Sequence, residues 1–220
     1  MNDASPGEGW AIRLHRGFEA VYWVVMVNAL WWLFTLLGAV IVGMAPATVA
    51  GAELTRRRLR GELFPVLRSY ASVWRREIAR ANLLLAPVQI AGAVLLVNAA
   101  WFASRGELSG LPGLLTMTAF AGVFAIGSIT VGLYVGYDLP IRACILTAAR
   151  WSLRNLPHAG LLIVALVVVV AATRLLPGLL PFVTAGALVT STSALCTAFF
   201  AANERLLAEQ QSPAGSTAAP

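Results

Sequence analysis

Charge is what this chain has least of. Only 12% of its 220 residues are charged, where a soluble domain carries roughly 25%, so the sequence cannot clothe a folded core in a water-facing surface. Cysteine is almost missing: Cys144 and Cys196 are the only two, both within or beside apolar stretches. They read as small buried hydrophobes, with no disulfide and no metal site implied. The two histidines, His15 and His158, flank different apolar runs. There are no paired acids at catalytic spacing, no His-x-x-x-His, no glycine-rich phosphate loop and no Gly-x-Ser-x-Gly elbow. These absences leave nothing to build an ATPase from and argue against an enzyme; no cofactor is expected.

What the chain has is hydrophobicity, at 59% of residues. Residues 18–54 are almost unbroken apolar sequence, followed at once by Arg56-Arg57-Arg58-Leu59-Arg60. A run that long must meet lipid. Later runs at 82–103, 111–137, 159–176 and 181–202 are each near the roughly 20 residues that cross a bilayer core. The first run, as one straight helix, would be on the order of 55 Å long at 1.5 Å per residue, so it must break. Gly38, Gly43 and Pro46 offer the break. It forms either a helical hairpin, which is favoured, or one span and a buried half-helix. The expectation is an all-α polytopic bundle of five to six spans over residues 10–209. The Ser-, Gly-, Pro- and Ala-rich ends at 1–9 and 210–220 read as disordered tails. The first apolar run is also too long for a processed signal peptide.

The net charge of +6 has an address. Eight arginines lie in residues 55–80 against Glu62 and Glu77, and the other eight arginines cancel the other eight acids. The 138–158 segment adds Arg142, Arg150 and Arg154, whereas 104–110 carries only Arg105. By the positive-inside rule the two arginine-rich segments are cytoplasmic. With a hairpin, Arg13 and Arg16 place the N-terminus on the same side. Within 65–80, Leu67, Tyr70, Trp74 and Ile78 share one helical face, and Arg68, Ser72, Arg76 and Arg80 another. That division predicts a basic amphipathic helix in the headgroup layer of the cell membrane, its Arg68, Arg75, Arg76 and Arg80 against anionic lipid, or docked on the protein by its aromatic face. Anionic lipid is the expected partner of this charge, and nucleic acid is not.

Several stretches carry a resemblance. They are Asn28-Ala29-Leu30-Trp31-Trp32-Leu33-Phe34, then Gly38 through Thr48, then Arg57-Arg58-Leu59-Arg60-Gly61-Glu62, with Trp74-Arg75-Arg76-Glu77 and Arg80-Ala81-Asn82 beyond. Over residues 17–82 the chain resembles the YesL family, bacterial membrane proteins classed as a domain of unknown function. Where that family often has proline before the glycine at 38, this chain has Leu37, leaving 43–46 as the main break. The resemblance implies a polytopic membrane protein whose genes often sit near those for sugar uptake. It carries no established activity.

The remaining polar residues define the candidate sites. Asn28 lies inside the first span with Trp31 and Trp32 beside it. Its amide either meets a hydroxylated ligand on an aromatic platform or bonds carbonyls freed at the helix break, the structural role being favoured. Asn28, Trp31, Gly43, Pro46 and Thr48 together form the candidate ligand or helix-break site. Glu19, Glu53 and Asp138 read as boundary residues paired with an arginine near in sequence. Small residues recur every fourth position at Gly186, Thr190, Ala194, Ala198 and Ala202, and at Ser128, Gly132 and Gly136, as in closely packed membrane helices. Two functions survive: a non-catalytic accessory subunit of a membrane transporter or sensor, linked to carbohydrate uptake, and an autonomous sugar-like solute transporter. The first is favoured, because no internal duplication and almost no buried charge are visible.

Overall fold

A computed structural model describes residues 8–176, 178 and 180–211. Among the described residues there is no strand. Those residues form seven α-helices: α1 (Glu8–Leu37), α2 (Ile41–Leu59), α3 (Val66–Ser104), α4 (Leu111–Gly136), α5 (Ile141–Arg154), α6 (Leu156–Leu175) and α7 (Leu180–Gln211). Five contain stretches long and apolar enough to cross a membrane: Ile12–Leu37 of α1, all of α3, α4 and α6, and Phe182–Ala208 of α7. At most 33% of the residues in each stretch are buried inside the protein. Their outward surface is therefore apolar, and lipid is the solvent that accepts it. The fold is a polytopic membrane helical bundle.

The centre of the bundle is α2. Its 19 residues are about 28 Å long at 1.5 Å per residue, and ten of them are buried, among them Gly43, Ala45, Ala47, Ala50, Gly51 and Ala52. A helix enclosed by α1, α3, α4 and α7 meets neighbours on every side, so it is built of small residues that let other backbones approach. It runs back along α1. Gly43 lies against Thr35, Thr48 bonds Trp31, Thr55 bonds Trp23 and Arg58 bonds Glu19.

The expected hairpin is therefore present, but its break is displaced. The chain turns at residues 38–40, not at 43–48. The Ala39 N–H bonds Leu36 O at 3.0 Å and the Val40 N–H bonds Thr35 O at 2.9 Å, the two bonds of a Schellman helix end. Ala39 (φ 53°) takes the left-handed position usually given to glycine, and Val40 (φ 65°) follows in a γ-turn closed by Ile41 N–H to Ala39 O at 2.8 Å. Gly43 and Pro46 lie inside α2. Gly43 serves contact: a Cβ there would fall 2.7 Å from Phe34 O. Pro46 cannot donate to Val42 O, and the amide of Asn82 on α3 does so instead, at 2.8 Å.

The basic segment of residues 65–80 is not a separate interfacial helix. From Val66 it is the first part of α3, whose 39 residues run about 58 Å. Its aromatic face docks on the hairpin. Tyr70 is fully buried and donates to Ala47 O at 2.6 Å, and Trp74 packs on Phe34 and donates to Gly43 O at 3.4 Å. Arg68, Arg75, Arg76 and Arg80 stay exposed. The expected loop of 55–80 shrinks to residues 60–65 between the two helices.

The expected 138–158 loop holds a further helix, α5, which turns Cys144, Ala148 and Ser152 inward. Burial there raises the Cys144 thiol's pKa, in keeping with a small buried hydrophobe. At the ends, Glu8 and Gly9 already belong to α1, and α7 continues through Gln210 and Gln211. The rest of both expected tails lies outside the described residues.

Candidate functional site: an apolar cavity and an arginine cleft

Of the five residues expected to form a ligand or helix-break site, the fold brings two together at a cavity. Trp31 Nε1 donates to Thr48 Oγ1 at 3.0 Å, and that hydroxyl donates to Met44 O at 2.8 Å. Both side chains line a cavity of about 510 Å³ between α1, α2, α3, α4 and α7, with Trp32 and Gln89. The wall is apolar. Its Thr192 and Ser193 hydroxyls are engaged by carbonyls of their own helix, Leu188 O at 2.7 Å and Val189 O at 2.6 Å, leaving few free donors for a hydroxylated ligand.

Asn28 is not on that wall. It is 2% exposed and accepts the Gly186 N–H at 3.0 Å, pinning α1 to α7 where a Cβ on Gly186 would meet the Asn28 backbone nitrogen at 2.8 Å. Gly43 and Pro46 lie in the α1–α2–α3 joint described above. The small residues of α7 and α4 meet each other: a Cβ on Gly132 would fall 2.7 Å from the Cys196 Cβ.

The second region is a polar cleft of about 820 Å³ where the C-terminal ends of α2 and α4 and the start of α5 meet α3. Arg56, Arg57, Arg60, Arg76 and Arg80 line it, with Glu53, Glu77 and Asp138. Glu53 pairs with Arg76 at 2.9 Å, a partner on another helix and not the neighbouring Arg56. Glu77, only 5% exposed, accepts from Arg76 Nε at 2.9 Å and from the Tyr134 hydroxyl at 2.5 Å. Arg57 and then Arg60 hold the exposed Glu62 carboxyl below its ordinary pKa. The Tyr137 hydroxyl, donated to Glu204 of α7, is pushed up to about 12 by burial and by that carboxylate. Arg58 points elsewhere, stacked over Trp23 with its guanidinium carbon 4.7 Å from the ring centre. Glu19 pairs with His15 at 3.3 Å.

From the sequence, the arginine cluster at 56–60 read as a topology signal and not as a lining. Its meeting with Arg76, Arg80, Tyr134 and Tyr137 is tertiary. The local hint was Tyr134 and Tyr137, two tyrosines three apart at the end of an apolar run. No group of three His, Cys, Asp or Glu side chains able to hold a metal occurs among the described residues.

Comparison with known proteins places the chain among uncharacterised relatives. It is 32% identical over 178 residues to the "Uncharacterized protein YesV" of Bacillus subtilis (strain 168), covering 77% of this chain and 82% of that protein. It is 33% identical over 89 residues to the "Uncharacterized protein YteU" of the same organism, 40% of each chain. No solved structure matches. The family model described as "Protein of unknown function, DUF624" matches residues 24–99, which span the later part of α1, all of α2 and most of α3. With a relative matched over most of both chains and the joint of α1, α2 and α3 inside the family's own model, the chain belongs to the DUF624 family of proteins of unknown function.

Proposed function

We propose that this is a YesL-type, non-catalytic accessory subunit of a membrane complex in the bacterial plasma membrane, linked to carbohydrate uptake. In this reading both termini and the α2–α3 connection are cytoplasmic, and the exposed Arg68, Arg75, Arg76 and Arg80 meet anionic lipid headgroups beside a transporter or sensor partner. The observation that carries it is the closure of the interrupted region. Transporters commonly bind substrate at broken helices, through backbone groups the break sets free. Here Val42 O, the carbonyl that Pro46 leaves without a helical donor, is taken by Asn82 of α3, and Gly43 O and Ala47 O accept from Trp74 and Tyr70 of the same helix. The groups a transporter would offer its cargo are engaged inside the protein. The autonomous-transporter reading rests on the cavity beside Trp31 and Thr48, whose apolar wall suits a sugar poorly.

The test is mild detergent extraction from the native membrane, crosslinking and mass spectrometry of co-purifying membrane proteins. A stoichiometric permease or sensor is the expected result. Purification as a lone species that moves a sugar in proteoliposomes would replace the accessory reading by the transporter.

A further inference from the structure

The arginines of the cleft differ in what they face. Arg57 and Arg60 share Glu62, at 2.7 and 2.6 Å, and Arg76 lies 2.9 Å from both Glu53 and Glu77. Among the described residues, neither Arg56 nor Arg80 has a carboxylate within ion-pair distance. Arg56 Nη1 donates to the neutral Val135 O at 2.6 Å, and Arg80 lines the cleft beside Tyr134. A guanidinium has five N–H donors in a planar fork, so each keeps donors that no carboxylate occupies.

Both guanidinium groups line the same cleft, whose volume of about 820 Å³ lies in the range of small-ligand sites, about 300–1,000 Å³. Gly136 lets the Arg56 guanidinium lie along the end of α4: a Cβ there would be in van der Waals contact with it, at 3.9 Å. Asp138, which has no ion pair among the described residues, lines the cleft too and is exposed, as Arg80 is. Two guanidinium forks on the lining of one polar cleft, neither held by a carboxylate, match the oxygens of a phosphoryl group.

We propose that this cleft binds a phosphate ester, clamped by Arg56 and Arg80. The proposal is independent of whether the protein has a partner subunit. The phosphoryl group has two sources, a soluble sugar phosphate and a phospholipid headgroup. The full-length protein in uncharged maltoside micelles is titrated calorimetrically at constant ionic strength with glucose 6-phosphate and with dihexanoyl phosphatidic acid. Saturable binding of at least one ester is expected, with glucose and dihexanoyl phosphatidylcholine giving none. Binding of glucose 6-phosphate assigns the soluble source, and binding of the phosphatidic acid alone assigns the headgroup.

Arg56→Gln and Arg80→Gln should each weaken binding about tenfold, the loss of a charge-assisted hydrogen bond. The double variant Arg150→Gln/Arg154→Gln removes exposed charge from α5, outside the cleft, and should bind as the parent does. Where a glutamine variant fails to fold, Arg80→Lys keeps the charge, loses the fork and should still bind several-fold more weakly. No saturable binding of either ester would overturn the proposal and return these arginines to a partner surface. So would equal losses from the cleft and α5 variants.

Discussion

Pro46 removes one hydrogen bond from α2, and a single side chain on α3 restores it. The Val42 carbonyl would accept from the N–H of residue 46 if that residue had one, and the Asn82 amide stands in at 2.8 Å while also bonding Ile78 O at 2.6 Å. Asn82→Ala should therefore destabilise the protein by about 1–3 kcal/mol in its native background. In a Pro46→Ala background the new N–H can satisfy Val42, and the same change should cost well under half as much. A double-mutant cycle on melting temperature in detergent reads that coupling; additive losses would show that Asn82 acts by something other than that carbonyl. The turn invites the opposite kind of substitution. Ala39 holds φ 53°, which a Cβ disfavours by roughly 1–2 kcal/mol relative to glycine. Ala39→Gly should raise the melting temperature, and a lowered one would mean the turn is held in some other conformation.

Among the elements, α3, α4, α6 and α7 were legible because apolar runs of about 20 residues have one cheap destination. The hairpin was legible because α1 and α2 together are too long to be one span. The position of its turn was not. Glycine and proline mark unusual backbone, but Gly43 is used for close approach to α1 and Pro46 is absorbed within a helix. The turn itself falls to Ala39 and Val40, which carry no turn signal. The short α5 escaped notice because its composition is mixed, although Ile141, Cys144, Ala148 and Ser152 recur at three- and four-residue spacing. The cleft was illegible because its charges come from helices whose meeting depends on the whole fold. The glycines offer a sharp test of the helix contacts. Gly43→Ala and Gly186→Ala put a Cβ against backbone atoms of α1, where little can give, and each should cost about 1–3 kcal/mol through overpacking. Gly122→Ala and Gly160→Ala meet nothing within 4 Å and should be neutral or slightly stabilising, because alanine is the better helix former. Monodisperse yield and melting temperature in detergent rank the four; equal behaviour would mean α1, α2 and α7 are not in contact as described.

For the whole molecule, the arrangement of charge and the parity of its helices have to agree. Five apolar stretches would place the two termini on opposite sides of a membrane; counting α2 as a sixth crossing places them together. The proposed accessory role counts the sixth: α2 runs back along α1, and Arg56 in its last turns reaches Val135 at the end of α4. The end of α7 is at the same level, where Glu204 accepts from Tyr137. The α3–α4 connection, with Arg105 stacked 4.0 Å over Trp101, belongs to the other end. Arginine-rich ends stay in the cytoplasm. In a background with Cys144 and Cys196 replaced by alanine, Ser5→Cys, Leu63→Cys and Ser212→Cys should therefore resist an impermeant thiol reagent in intact cells, and all three should react after lysis. Glu107→Cys, in the opposite connection, should react without lysis. Leu63 is fully exposed, so its protection can come only from the membrane. Labelling of Ser5→Cys alone would mean that α1 crosses while α2 does not, and α2 would then be a buried half-helix. Labelling of Leu63→Cys with protection of Glu107→Cys would invert the molecule and place the arginine cleft outside the cell, where a cytoplasmic sugar phosphate could not reach it.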